Sequence, residues 1–92
     1  MKKRKYEVTG PFQGRHIGER TKAIVLVETD GDFLVFHPNR KEACGSIEIC
    51  DLNTYEDCLT SSKQNYINIF SQKQIDTLIE NLSKISYSKA RK

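Results

Sequence analysis

The sequence predicts an α+β fold: an antiparallel sheet of about five strands with one C-terminal helix packed on one face. Three observations lead there. Asp30-Gly31 separates two apolar runs, residues 23–29 and 32–37, the strongest short-range signal for a two-residue β-hairpin. Ser71 with Gln74 opens a stretch in which Ile75, Leu78, Ile79, Leu82 and Ile85 recur at helical spacing. Shorter segments around Tyr6, Ile47 and Ile67 alternate apolar and polar residues with the period of a strand.

Length and charge bound the rest. Ninety-two residues suffice for a single modest core, expected over residues 6–86, with a basic arm at 1–5 and a basic tail at 87–92. The net charge of +3 is unevenly spread. Residues 1–22 carry seven Lys/Arg against two Glu, and residues 23–62 carry two basic against eight acidic side chains. Residues 63–92 return to six basic against two acidic. A basic–acidic–basic chain presents one positive patch if its two ends meet in space. No apolar run approaches a membrane span, and no apolar segment follows the charged start, so a cytoplasmic protein without a membrane partner is expected. Three cysteines, Cys44, Cys50 and Cys58, leave one unpaired in any disulfide scheme and suit a reducing compartment.

Taken in order, residues 1–5 read as a mobile basic arm. A first strand places Tyr6 and Val8 inward. Residues 10–22 carry Gly10, Gly14 and Gly18 at intervals of four, interleaved with Phe12, Arg15, His16, Arg20 and Lys22. Such a loop can hold a phosphate between backbone amides and guanidinium groups, although it matches neither the Walker A nor the dinucleotide pattern; a mobile hairpin loop is the plainer reading. In the hairpin that follows, a type I′ turn sets Val27 against Leu34 and Val25 against Phe36 on one face. Glu28 then faces Phe33, Leu26 faces Val35, and Ile24 faces His37 on the other. Both faces are largely apolar, and one helix can cover only one of them. The second must meet another part of the chain, another copy of it or a ligand, and this mismatch favours a dimer or a binding sheet.

Residues 38–45 form a turn-rich loop with Arg40 and Lys41. Residues 46–51 read as a strand with Ile47 and Ile49 inward and Glu48 and Cys50 outward. Thr54 and Asp57 suggest a short helical turn through Tyr55, Cys58 and Leu59. A polar linker over residues 61–65 leads to a strand at 66–70. The helix follows: Ser71 and Gln74 form a capping box, Phe70 and Ile75 a hydrophobic staple, and Glu80 with Lys84 a favourable i,i+4 pair. The tail after Ile85 is expected to fray.

The ligand-type residues of the central chain are His37, Cys44, Cys50 and Cys58, separated by six, five and seven residues. None of these spacings is a zinc knuckle, so neither a metal nor any other cofactor is expected. Cys58 with His16 and Asp57, or Cys44 with His37, makes a nucleophilic site on paper. Acidic neighbours raise a thiol's pKa, however, and Glu56 and Asp57 flank Cys58. Asp30/Asp32 and Glu56/Asp57 are turn and capping carboxylates. The chain is therefore expected to be a non-enzymatic binding module. Its leading reading is single-stranded nucleic-acid binding through Lys3, Arg4, Arg15, Arg20, Lys22 and Phe12, with Tyr6 and Phe33 as further stacking candidates. The alternative is a regulator or inhibitor acting by occlusion, docking a protein or a second copy of itself through the uncovered apolar sheet face.

Overall fold

A computed structural model describes residues 5–17 and 21–90, with side chains over 5–12 and 24–90. Within these residues the fold is α+β, with seven strands and one helix. The strands are β1 (Tyr6–Thr9), β2 (Phe12–Ile17), β3 (Thr21–Thr29), β4 (Asp32–Asn39), β5 (Cys44–Asn53), β6 (Cys58–Ser61) and β7 (Ser86–Lys89); the helix α1 spans Gln72–Ser83. Strands β2 to β6 form a closed barrel in chain order, and β1 pairs with β7 in a separate two-stranded ribbon. The barrel meanders antiparallel from β2 to β6 and closes where Ile17 meets Leu59 in parallel.

The β3–β4 hairpin forms on its expected turn. Asp30 and Gly31 both have positive φ, 52° and 83°, as a type I′ turn requires. Thr29 pairs with Asp32, Glu28 with Phe33 and Val27 with Leu34. Beyond that point Val25 pairs with Val35 and Ile24 with Phe36, so Leu26 is an extra residue in β3. This β-bulge shifts the expected pairing by one and tightens the local twist. It also lets four consecutive residues, Ile24 to Val27, all be buried.

The inner core consists of Val25, Phe33, Val35, Cys50 and Leu59, with Leu52 packed against it. Ile24 and Leu26, both fully buried, lie outside that cluster, and α1 packs on β3. Asn81 ties helix to strand. Its Nδ2 donates to the Leu26 carbonyl at 2.8 Å and reaches the Val25 carbonyl at 3.5 Å, serving acceptors at the bulge.

One molecule thus covers both faces of β3: of the occupants expected for the second face, another part of the chain takes it, and the favoured copy or ligand is not needed there. The barrel interior takes one face and the helix the other. The outer face of β4 and β5 remains partly open, with Leu34, Phe36 and Ile49 half-exposed and Ile47 exposed.

Several elements depart from expectation. Residues 66–70 form no ladder, because the closed barrel offers no edge on which another strand can pair. Residues 58–61 are strand β6 instead of a helical turn and linker. Asn53 accounts for the difference: its Oδ1 accepts from the Tyr55 and Glu56 amides, and this side-chain turn returns the chain into β6. The glycine-rich segment is largely strand, with Phe12–Ile17 paired to β3. The tail after Ile85 begins as β7.

Strand β5 runs in the opposite phase to the one expected. Phe33 pairs with Cys50 and Val35 with Glu48, so Cys50 and Glu48 face inward and Ile47 faces solvent. The position of the turn decides this. Asn39 pairs with Cys44, and counting outward from there fixes every side chain of β5. Gly45 is required in that register, because a Cβ there would collide with the His37 carbonyl oxygen and the Phe36 ring.

Candidate functional site

Two places in the fold concentrate polar chemistry. The first is the β1–β7 ribbon, which brings the two ends of the chain together. Tyr6 pairs with Lys89, and the Ala90 amide donates to the Lys5 carbonyl at 3.0 Å. The ribbon docks on the β4–β5 turn: the Lys5 and Tyr6 amides both donate to the Arg40 carbonyl, at 3.1 and 2.8 Å. Tyr6 and Tyr87 meet edge to face, with centroids 6.4 Å apart. The Tyr87 hydroxyl donates to the Cys44 carbonyl. Burial raises the Tyr87 phenol above its usual pKa, so it remains a donor. Exposed Lys5, Lys41 and Lys89 and half-buried Arg40 therefore share one region with two aromatic rings. In sequence, Lys2, Lys3 and Arg4 directly precede Lys5, and Arg91 and Lys92 follow Ala90.

The second place is one end of the barrel interior. His37 on β4 and Glu48 on β5 join through Nε2 and Oε1 at 2.7 Å. Ser61 on β6 donates its hydroxyl to Glu48 Oε2. Buried Cys50 lies beside them, its sulfur within 4.8 Å of the His37 and Glu48 ligand atoms. The Ser61 hydroxyl is the main reason the Glu48 carboxyl is held below its usual value; the bond and charge of His37 add to this, against the opposing cost of burial. Burial, then the charge of Glu48, pushes the Cys50 thiol up to about 12. Cys50 is therefore a protonated thiol and no nucleophile. The serine bonds to the carboxylate and not to the imidazole, so the group is not a hydrolase triad.

The sequence-based candidates fall in different places. Lys3, Arg4 and Arg20 lie outside the described residues. Arg15 and Lys22 lie on β2 and β3 by backbone, and their side chains are outside the described set, as is that of His16. Phe12 begins β2, half-buried and paired with Ile24. Phe33 is 3% exposed in the core and is not available for stacking. Cys58 is buried, and its thiol is pushed up by burial and then by Glu56 and Asp57. Exposed Cys44 turns its thiol toward Glu42. Asp32 stands opposite Asp51; burial first, then a hydrogen bond and repulsion from Asp51, raise its carboxyl.

The grouping of Glu48, Cys50 and Ser61 around His37 escapes the sequence pattern, because apolar Ile47 and Ile49 point the phase of β5 the wrong way. Placing the polar turn at residues 40–43 would have recovered it. Among the described residues no helix is long and apolar enough to cross a membrane. No protein-family model, curated protein or solved structure matches the chain.

Proposed function

We propose that this protein is a small non-enzymatic binding module whose paired basic ends bind single-stranded nucleic acid. The observation that carries the reading is the β1–β7 pairing, which meets the condition for a basic–acidic–basic chain to present one positive surface. Phosphates would be drawn to Lys5, Arg40, Lys41 and Lys89 at the ribbon and the β4–β5 turn it docks on. Tyr6 and Tyr87 would offer ring surface for a base, a contact contributing about 1–3 kcal/mol in single-strand binders. The acidic residues of the barrel would keep the strand on the ribbon and away from the sheet.

A second reading has its own support. Phe70, Ile75, Ile79 and Leu82 are exposed on and just before α1, Tyr66 is exposed nearby, and Ile47 is exposed on β5. These residues suit apolar docking of a protein or a second copy of the chain, in place of the sheet face expected from sequence.

Titrating the full chain with a fluorescent single-stranded oligonucleotide over a range of salt separates the two. Binding through the basic ends predicts an affinity that falls linearly with log salt, with a slope of about −0.7 per phosphate contacted. Lys5→Gln and Lys89→Gln should each reduce that slope by about 0.7 while leaving the fold intact. Replacing Arg15, Arg20 and Lys22 together tests the glycine-rich segment in the same assay. No binding at low salt would reject the nucleic-acid reading, and salt-independent self-association would favour the apolar one.

A further inference from the structure

We propose that His37, Glu48 and Cys50 form a binding site for a divalent transition ion, zinc foremost, with one coordination position left open to solvent. The imidazole, carboxylate and sulfur ligand atoms all lie within 4.8 Å of one another. A tetrahedral ion with bonds of about 2.0–2.3 Å needs its ligand atoms roughly 3.3–3.8 Å apart, so small side-chain rotations complete the geometry. The three residues come from adjacent, directly paired strands, with Val35 opposite Glu48 and Phe33 opposite Cys50, so the backbone already sets their spacing. Nitrogen, oxygen and sulfur together match a borderline ion of the zinc class; calcium and magnesium take oxygen alone.

The surroundings fit as well. Ser61 holds Glu48 Oε2, which leaves Oε1 to turn from His37 to the ion and fixes the carboxylate as outer partners do in metal sites. Phe33, Val35 and Leu59 wall the sulfur from solvent on the core side. The side chains of His37 and Glu48 are 26% and 33% exposed, so an ion can enter and a water can fill the fourth position. On binding, the Cys50 thiol releases its proton to solvent and the sulfur bonds as thiolate. This site is independent of the nucleic-acid reading, since none of its ligands lies on the ribbon.

The test is titration of the full, chelator-treated chain with Co²⁺, followed by Zn²⁺. The expected result is one equivalent of cobalt giving a thiolate-to-metal charge-transfer band with visible ligand-field bands, both removed by an equivalent of zinc. Cys50→Ser should abolish the charge-transfer band, whereas Cys44→Ser and Cys58→Ser should keep it. Ser61→Ala should weaken cobalt affinity about tenfold or more while the band persists. Zinc should also raise the melting temperature of the wild type and not that of His37→Gln, a half-exposed position whose replacement leaves the core packed. The proposal is overturned if the wild type gives no charge-transfer band, if Cys50→Ser retains one, or if zinc stabilises His37→Gln as much as the wild type. Any of these results would leave a hydrogen-bonded His–Glu–Ser group that serves the fold alone.

Discussion

At the scale of single residues, the Glu48 carboxyl is held below its ordinary pKa and the Cys50 thiol above its own, and folding stability must follow both. The Glu48 carboxyl titrates below its usual 4.5 in the folded chain. Its contribution is therefore complete above that value and is lost as pH falls through 4.5 toward the lower folded value. The Cys50 thiol moves from 9.0 to about 12, so its contribution is complete below 9.0 and is lost as pH rises between those values. Melting curves across pH should show a loss of stability at each limb. Glu48→Gln should flatten the acid limb and also shrink the alkaline one, because the Glu48 charge helps hold the thiol up, while Cys50→Ala should flatten the alkaline limb and leave most of the acid one. Curves parallel to wild type at both ends would mean that neither group is held as described. Glu48 and Cys50 could be named from the sequence, but their orientation could not, because hydrophobicity alone favours the inward phase of Ile47 and Ile49.

At the scale of elements, α1 shows how a legible helix can pack on an unexpected edge. Its cap forms nearly as expected. Ser71 Oγ accepts from the Gln74 amide at 3.3 Å, but Gln74 Oε1 reaches back to the Phe70 amide at 2.6 Å instead of that of Ser71. Lys84 bonds Glu80 at 2.8 Å, as the spacing requires. The apolar stripe, by contrast, is split. Leu78, Asn81 and Ile85 are half-buried, whereas Ile79 is 60% exposed. Carbonyls at the β3 bulge supply the reason, since they draw Asn81 to the interface and rotate part of the stripe outward. Introducing a charge should therefore separate neighbours that the helical pattern treats alike. Leu78→Asp should lower stability by about 2 kcal/mol or more, whereas Ile79→Asp should cost under about 1 kcal/mol. Urea denaturation of the two variants measures the difference; equal losses would place Ile79 in the core.

At the scale of the whole molecule, the chain divides into a closed barrel and a ribbon made from its two ends. The barrel's central strands β3, β4 and β5 hold most of the buried side chains. The ribbon buries Val8 and is tied to the barrel by the Arg40 carbonyl and by the Tyr87 hydroxyl on Cys44. Amide hydrogen exchange should reveal two classes of opening. Amides of β3 to β5 should exchange only with global unfolding, and those of β1 and β7 should exchange together, faster, through release of the ribbon. Equal protection throughout would make ribbon and barrel a single cooperative unit.

Local chemistry by itself determined the hairpin turn at Asp30-Gly31, the capped helix, the strand character of most of the chain and the uneven spread of charge. Each of these depends on residues a few positions apart, within reach of turn sterics, capping bonds and periodicity. Tertiary structure alone decided the extra residue in β3, the phase of β5, the lack of a strand at residues 66–70 and the meeting of the two ends. Those features depend on which strand edges remain free once the barrel closes. Such edges are set by partners far along the chain, and no local pattern of side chains encodes them.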